Sequence, residues 1–392
     1  MEKKSYELVV VGGGVAGCAA ALAAARRGVK TALIEKTVSM GGLATNGLVL
    51  VYLGLCDGLG HQVSFGITEE FLRKSNIYGP YDPKNWQQGL QRYEIFFSPA
   101  SLILALDEML AEAGVDMWFD TILTDAEKDS DNRIRAVEVF NKSGKIRLEG
   151  KCFIDATGDA DLAYIAGNEC LSTTSALVAW VIEHHENMER DPKVFKFNEK
   201  TAVKIFANPI SNVDTTSGIS GKSVSDFVFR ARKKYTDFLK EEYASGNSDR
   251  KSRYPISVPA MPTMRKTRCI KSRNPLTSQM EWQSVEQSVG IAADWRSKDR
   301  AWELPYGMLL PDNLEGMLAV GRCAGAIDDA WEVSRVIPVA ALTGEAAGVA
   351  ASLAIKHDIV PSQVEYSELA AELQKGRFYP LKIKELGIAE HV

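Results

Sequence analysis

Three glycines near the N-terminus have the spacing found in turns that hold the pyrophosphate of a dinucleotide. They lie in the segment 12–17, Gly-Gly-Gly-Val-Ala-Gly, directly after the apolar run 6–11. Gly12 permits a tight turn, Gly14 lets the backbone approach a phosphate, and Gly17 lets the following helix pack close to a sheet. The segment therefore predicts a site for a phosphate-bearing cofactor. A glycine-rich turn that binds nothing is the alternative interpretation.

The elements around this turn form a β-α-β unit. Residues 6–11 predict a buried parallel strand, residues 15–27 an Ala-rich helix, and residues 29–34 a second strand. The helix begins at Val15 and Ala16, and the free backbone N–H groups at its start would face the phosphates.

An acidic residue ends the second strand. Glu35 comes 18 residues after Gly17, and a carboxylate at that distance can accept hydrogen bonds from both hydroxyls of the adenosine ribose. It would repel a 2′-phosphate, which argues against NADP. We assign Glu35 and the adjacent Lys36 to the cofactor site.

A later strand end predicts a second part of the same site. In the segment 153–159, Phe-Ile-Asp-Ala-Thr-Gly-Asp, an apolar strand leads into a turn of small residues at Ala156, Thr157 and Gly158. Ligands of parallel sheets bind outside the carboxyl ends of the strands, where this turn would lie. Alone, the segment is also compatible with an ordinary strand-to-loop junction.

A third strand end lies near residue 320. The strand ends at Gly321, and Arg322 follows it. Arg322 could pair with the pyrophosphate, or it could form a structural ion pair with Asp328 or Asp329. Both interpretations stay open. The long apolar helix that follows contains Val339 in its first turn, so its positive end would face the same site.

Together, these segments resemble the FAD-dependent oxidoreductases of the glutathione-reductase-type superfamily, which are distantly similar to fumarate reductase flavoproteins. The resemblance extends to about residue 355 and is thin in the middle of the chain. The combination of motifs is specific for FAD, whereas each motif alone is not. The residues that carry it are 10–17, 41–45, 155–159, Arg265, Arg268, 318–323, 334–335 and 344–348.

The resemblance implies that FAD is the cofactor. It implies that Gly42, Leu43 and Ala44 pass along the flavin and its ribitol, and that the turn at Ala156 lies near the adenosine or the pyrophosphate. It also implies that Arg322 and the start of the last long helix close over the isoalloxazine. The positive end of that helix would suit the flavin edge that becomes anionic on reduction. Relatives often carry histidine at the position of Asp328, so this chain has no imidazole there.

Residues that act on the substrate are expected from the 43–95 loop, the middle of the chain and the start of the last long helix. The candidates have side chains that can hold a carboxylate, stack or move a proton: His61, Arg92, Tyr93, Arg265, Arg268, Trp282 and Arg335. We assign catalytic roles to Arg335, Arg268 and His61. An arginine could hold a carboxylate, and His61 could transfer a proton. A purely structural role is the alternative for each.

The order of the predicted elements indicates an α/β protein, α+β overall. We expect a Rossmann-type FAD-binding domain with a three-layer β/β/α organisation, formed by residues 1–170 and 301–355. Residues 171–300 are expected to form an inserted mixed substrate or cap domain. Residues 356–392 are expected to form a C-terminal tail that packs on the FAD domain.

Composition and charge limit the other functions. The chain has 392 residues and a formal net charge of −5, which gives no electrostatic reason to expect a nucleic acid partner. We expect no membrane-spanning segment and a cytoplasmic location. The six cysteines contain no Cys-x-x-Cys pair, and the five histidines show no metal-ligand spacing. We therefore predict no metal site.

The leading hypothesis is an FAD-dependent oxidoreductase that moves a hydride between a small organic substrate and the flavin. The flavin would then exchange electrons with an acceptor or donor that the sequence does not identify. A flavoprotein of RNA modification or biosynthesis is a second hypothesis, against which the acidic balance argues. A non-catalytic flavin-binding protein is the third, against which a separate middle domain argues. A homo-oligomer is compatible with the sequence.

Overall fold

The computed structural model describes residues 2–53, 55–79, 95–191, 194–207 and 215–387. The chain divides into two compact units. The larger contains Met1–Gly41, Val51–Leu171 and Arg268–Val392, and the smaller contains Gly42–Leu50 and Ser172–Thr267.

The first part of the chain supplies most strands of the larger unit. These strands are β1 (Glu2–Ser5), β2 (Leu8–Val11), β3 (Thr31–Ile34), β4 (Val51–Tyr52), β5 (Ile95–Phe96), β6 (Asp116–Trp118), β7 (Ile122–Lys128), β8 (Ile134–Asn141), β9 (Gly144–Glu149) and β10 (Cys152–Asp155). The helices between them are α1 (Val15–Ala25), α2 (Ile67–Lys74) and α3 (Pro99–Glu112), and α4 (Asp161–Ile165) follows β10.

The rest of the chain passes through the smaller unit and returns to the larger one. The next strands are β11 (Cys170–Ser172), β12 (Ser175–Ala176), β13 (Val178–His185), β14 (Val194–Lys196), β15 (Thr201–Ala207), β16 (Thr215–Thr216) and β17 (Arg253–Ser257), with helix α5 (Gly221–Ala244) before β17. The last elements are β18 (Arg268–Ile270), β19 (Ser288–Ala293), β20 (Ala301–Pro305), β21 (Met317–Ala319), α6 (Ala330–Ser334), α7 (Ile337–His357) and α8 (Tyr366–Gln374).

A parallel sheet of order β21-β10-β2-β3-β6 forms the centre of the larger unit. In its register, Asp155 lies between Val11 and Ala319 at the carboxyl ends of three adjacent strands. The turns that follow these strands therefore meet at one edge of the sheet. They are the three segments that the sequence assigns to a single site.

The sheet has a different layer on each face. Val9 and Val11 of β2 share a core cluster with Val137, Val139 and Leu148 of the antiparallel sheet β1-β9-β8-β7. Helices α1 and α7 pack on β2 and β10, and successive strand residues point to opposite faces. The Rossmann-type α/β fold with three β/β/α layers, predicted from the sequence, is confirmed.

The structure places residues 268–300 in a different unit from the one that the sequence predicts. The sequence pattern assigns them to the inserted domain, whereas in the structure they belong to the larger unit. The physical reason is the packing of β19 on α7. A Cβ on Gly290 would lie 2.6 Å from the Leu342 side chain, so the strand lies directly against the helix.

The smaller unit has its own sheet and core. Its sheet has the order β14-β15-β13-β17. Phe227 and Ala231 of α5 form a core cluster with Ala179 and Met264. A buried ionic contact joins two strands of this sheet, where Arg253 of β17 donates to Glu183 of β13 at 2.6 Å.

Helix α7 is long and apolar enough, by length and composition, to cross a membrane. Its apolar window is wholly buried inside the protein. Such burial is typical of the core helix of a folded domain, and the sequence predicts a buried helix over these residues.

Candidate functional site

Two glycines of the N-terminal turn are required by close backbone contacts. Gly12 has a φ of +107°, and a Cβ there would lie 2.3 Å from the carbonyl oxygen of Ala156. A Cβ on Gly17 would lie 1.9 Å from the carbonyl oxygen of Gly12. These two positions therefore close the turn against the neighbouring strand end.

Gly14 has a different environment. Its φ of −65° suits any residue, and a Cβ there would meet no atom of the described residues within 4 Å. Gly14 is the N-cap of α1, and no side chain caps the helix. The open space thus lies in front of the N–H groups at the start of α1, which begins with Val15 and Ala16. A pyrophosphate fits such a cradle in size and charge.

A second helix start lies beside the first. Gly321 has a φ of +65°, and a Cβ on it would lie 2.9 Å from Cβ of Ala16 in α1 and 3.5 Å from Cβ of Ala340 in α7. Val336 is the N-cap of α7 and makes no side-chain cap. Val339 is fully buried in the first turn of α7. The positive ends of α1 and α7 therefore flank Gly321 and add their fields there.

The turn after β10 is held by a buried carboxylate. Asp155 Oδ1 accepts hydrogen bonds from the N–H and the hydroxyl of Thr157, at 3.0 and 2.7 Å. Its Oδ2 accepts one from the N–H of Ala163 at 2.9 Å. Burial nevertheless raises the pKa of Asp155 to about 6. Ala156, next to it, is nearly buried and packs against Gly12.

Arg322 joins two of the turns. Its guanidinium forms an ion pair with Asp159 at 2.8 Å. The sequence predicts either pyrophosphate binding or an ion pair with Asp328 or Asp329, so the structural partner differs from both predicted aspartates. A Cβ on Gly158, whose φ is +80°, would lie 2.9 Å from this guanidinium. The cation is thus fixed at the edge where the strands end.

Glu35 braces the glycine turn. Its Oε2 accepts a hydrogen bond from the N–H of Gly13 at 2.7 Å, and its Oε1 accepts two from Thr37 at 2.8 Å. A carboxylate offers about four acceptor positions, so these three bonds leave a direction for a ribose hydroxyl. The neighbouring Lys36 is exposed.

The segment assigned to the flavin and ribitol follows directly in the chain. The N–H of Gly41 donates to the carbonyl oxygen of Gly13 at 2.7 Å. Gly42, Leu43 and Ala44 then form a 3-10 turn, and Ala44 is buried. This turn belongs to the smaller unit.

Arg268 already has protein partners. It donates to the carbonyl oxygen of Asp159 at 2.8 Å and to Oδ1 of Asp161 at 2.7 Å. Its guanidinium lies 4.0 Å from the ring centroid of Tyr164. These contacts connect β18 to the turn that carries Ala156.

Arg335 lies directly before the N-cap of α7. Its Nε donates to Glu332 at 2.9 Å, and its guanidinium lies 5.7 Å from the ring of Trp295. Among the other candidates, Arg265 belongs to the smaller unit and Trp282 to the larger. The candidates Arg92 and Tyr93 lie outside the described residues.

His61 is paired with a residue that sequence reasoning missed. Its Nδ1 lies 2.7 Å from Oδ2 of Asp57, whose side chain has no exposed surface. The sequence signal was an aspartate four residues before the histidine, with Gly58 and Gly60 between them. Asp159, the partner of Arg322, lies in the segment 153–159, and the sequence predicts no role for it.

Comparison with curated proteins gives a likeness over part of the chain. The curated digeranylgeranylglycerophospholipid reductase of Thermoplasma volcanium is 24% identical over 166 residues. The match spans 40% of this chain and 40% of that relative's length.

Solved structures give two further likenesses. The structure of PyrE3, a Diels-Alderase of pyrroindomycin biosynthesis, is similar with a TM-score of 0.51 at 13% identity, over 96% of this chain and 69% of that one. This likeness shows the fold alone. A geranylgeranyl bacteriochlorophyll reductase-like protein of Thermoplasma acidophilum gives a TM-score of 0.49 at 16% identity, over 94% of this chain and 84% of that one.

A family profile covers nearly all of the chain. The profile described as FAD dependent oxidoreductase matches residues 7–176 and 179–373. It spans the glycine turn and both later strand ends, which form one edge of the sheet. The chain therefore belongs to the FAD-dependent oxidoreductase family, with FAD as its cofactor, as the sequence predicts.

Proposed function

We propose that this oxidoreductase moves a hydride between a small organic substrate and FAD, with the N-terminus of α1 facing the pyrophosphate and the N-terminus of α7 facing the isoalloxazine. The observation that carries the proposal is the open cradle at Gly14. Gly12 and Gly17 are glycines because protein atoms fill the space beside them. Gly14 has open space instead, which a bound phosphate would need.

The remaining parts of the site fit the same ligand. Glu35 has an acceptor direction left for the adenosine ribose. Arg322 would add positive charge for the pyrophosphate. Bound FAD supplies the redox chemistry, and the start of α7 would stabilise negative charge on the reduced ring.

We propose Arg335 and His61 as the residues that contact the substrate. Arg335 is the C-cap of α6 and directly precedes the N-cap of α7. His61 has an exposed imidazole held by Asp57. The contacts of Arg268 with Asp159 and Asp161 favour a role in holding the adjacent turn, so its direct catalytic role stays a prediction, as does the cytoplasmic location.

The test is FAD binding by a Gly14→Ala variant. Because a Cβ at Gly14 meets open space and φ is ordinary, the apoprotein should keep its stability within about 0.5 kcal/mol. The same methyl group should enter the phosphate cradle and weaken FAD binding at least about tenfold, or about 1.4 kcal/mol. Fluorescence titration of apoprotein with FAD measures the affinity.

Gly221→Ala is the matched control. Gly221 is the first residue of α5, and a Cβ there also meets open space among the described residues. This variant should bind FAD like the wild type. If Gly14→Ala binds FAD with wild-type affinity, the proposed phosphate cradle is wrong. Wild-type protein that is colourless and takes up no FAD would contradict the function itself.

The hydride transfer itself needs a separate measurement. Holoenzyme is mixed without oxygen with a panel of 2-hydroxy acids, secondary alcohols and secondary amines, and bleaching of the flavin is followed. We expect at least one class to bleach the flavin in a stoichiometric reaction, because the flavin accepts the hydride.

A further inference from the structure

Asp57 holds the imidazole of His61 in one orientation. Asp57 Oδ1 accepts hydrogen bonds from the N–H of Leu59 at 2.8 Å and of His61 at 3.1 Å. Its Oδ2 lies 2.7 Å from His61 Nδ1. A carboxylate oxygen accepts hydrogen bonds, so the contact matches the neutral imidazole tautomer that carries its proton on Nδ1 and its lone pair on Nε2.

The side chains of Asp57 and His61 differ in their exposure to solvent. The Asp57 side chain is fully buried, whereas the His61 side chain is 54% exposed. The carboxylate is therefore shielded from water, while the His61 side chain remains accessible. A buried carboxylate that fixes the tautomer of an accessible imidazole is the arrangement that histidine bases use.

The chain contains the same turn a second time without a histidine. Asp129 Oδ1 accepts from the N–H groups two and four residues later, Asp131 at 2.9 Å and Arg133 at 3.1 Å. Its Oδ2 accepts from Arg135. This turn connects β7 and β8 at the surface. The backbone bonds alone thus explain the turn, and the contact between a fully buried carboxylate and an imidazole is the feature specific to Asp57.

The turn that carries the pair is bonded to the loop between β19 and β20. The carbonyl oxygen of Asp57 accepts a hydrogen bond from the N–H of Asp299 at 2.7 Å. A Cβ on Gly58 would lie 2.7 Å from Lys298. Residues 298–299 belong to the β19–β20 loop, so the turn that carries His61 packs against that loop.

The same loop is locked to the residues that lead into α7. Arg296 donates to both carboxylate oxygens of Asp329 at 2.6 Å. The Trp295 indole donates to the carbonyl oxygen of Glu332 at 3.1 Å. A chain of contacts therefore connects the His61 turn, through the β19–β20 loop, to α6, which directly precedes the helix start at which we place the flavin.

The charged groups around the pair come from three elements. Asp57 belongs to the same turn, Lys298 and Asp299 to the β19–β20 loop, and Glu69 to α2, where it accepts from Gln62 at 3.3 Å.

We propose that Nε2 of His61 takes and returns the proton that accompanies hydride transfer, with Asp57 as its positioning residue. This inference rests on the proposed function. In oxidation, a substrate C–H bond breaks and its electron pair leaves as hydride to FAD. The proton of the O–H or N–H group on the same carbon moves to Nε2, and a double bond forms between the carbon and that heteroatom. Reduction runs the same steps in reverse.

The first test measures the tautomer without any substrate. Asp57→Asn keeps an amide oxygen for the two backbone bonds but presents an NH₂ group to Nδ1, which must then accept. Nitrogen-15 NMR of histidine-labelled holoenzyme should show His61 protonated on Nδ1 in the wild type and on Nε2 in Asp57→Asn. Carbethoxylation of His61 by diethyl pyrocarbonate, read by mass spectrometry, should slow at least about tenfold in the variant because the lone pair is lost.

Asp129→Asn is the control for the turn itself. It should change neither the His61 nitrogen signals nor the rate of carbethoxylation. A wild-type His61 protonated on Nε2, or an unchanged tautomer in Asp57→Asn, overturns the positioning role.

The second test uses the flavin-bleaching panel. His61→Gln and Asp57→Asn should retain FAD but bleach about 10² to 10⁴ times more slowly. FAD-loaded His61→Gln that bleaches at the wild-type rate overturns this proposal alone. Protein that binds no FAD overturns the proposed function instead.

Discussion

The backbone N–H of Gly13 donates a 2.7 Å hydrogen bond to Oε2 of Glu35. The acid at the end of β3 therefore holds the glycine turn at the end of β2. Its other oxygen is bonded to Thr37. Glu35 thus shapes the cradle in addition to the role at the ribose that the sequence predicts.

Glu35→Gln should reduce both stability and FAD affinity. An amide has one acceptor oxygen, so it cannot accept from Gly13 and Thr37 on opposite sides. A buried donor left without its partner costs about 1–3 kcal/mol, and urea unfolding of the apoprotein should show a loss of that size. FAD titration should show weaker binding, because the turn is less well held.

Glu7→Gln is the control for this loss. Glu7 also accepts from a backbone N–H, that of Lys30 at 3.1 Å, but at the surface. Water can replace this bond, so the change should stay below about 0.5 kcal/mol. If the two variants lose the same free energy of unfolding, the hydrogen bond from Gly13 to Glu35 contributes no more to stability than a surface bond does.

Much of this site could be predicted from the sequence because it depends on backbone geometry. The three strand ends and their glycines follow local rules: Gly12 and Gly321 need positive φ, and Gly17 needs close packing. These requirements leave a spacing in the sequence. The parallel register then brings the ends together at Asp155.

The side-chain partners could not be predicted in the same way. Arg322 pairs with Asp159, which is far from it in sequence, and Arg268 is held by two acceptors of the same turn. Such pairs depend on tertiary distances that no local pattern encodes. The sequence also predicts that residues 268–300 lie in the inserted domain. The packing of Gly290 on Leu342, which places β19 in the larger unit, is a tertiary contact that no local pattern reveals.

Gly344→Ala should destabilise the contact between α1 and α7. A Cβ at Gly344 would lie 2.1 Å from the carbonyl oxygen of Ala16, so the helices must separate. Overpacking of this kind costs about 1–3 kcal/mol, which thermal unfolding of the apoprotein measures. FAD binding should weaken as well, because both helix starts flank Gly321.

The same Gly221→Ala exchange serves as a control, since Gly221 also lies in a helix but without a close neighbour among the described residues. That exchange should be neutral or slightly stabilising, because alanine favours a helix more than glycine does. Unchanged stability in Gly344→Ala would mean that the two helices can move apart freely.

Asp155→Asn should change the dependence of stability on pH. Burial raises the pKa of Asp155 from 3.8 to about 6 in the folded protein. The folded state therefore retains a proton that the unfolded state releases. The stabilising contribution is complete below pH 3.8 and is lost as the pH rises through about 6.

The expected loss follows from the size of that shift. Two pKa units correspond to about 3 kcal/mol over the whole titration. Part of this is already lost at pH 4, so the unfolding free energy of the wild type relative to Asp155→Asn should fall by about 2 kcal/mol between pH 4 and pH 7. Urea unfolding of both proteins at several pH values measures this fall. Any cost of the amide that does not vary with pH is the same at every pH and does not change the result. Asp129→Asn provides the opposite sign: backbone hydrogen bonding, first from Arg133, lowers the pKa of Asp129, so its contribution is lost as the pH falls. A wild-type curve parallel to that of Asp155→Asn would show that this carboxyl group titrates alike in the folded and unfolded chains.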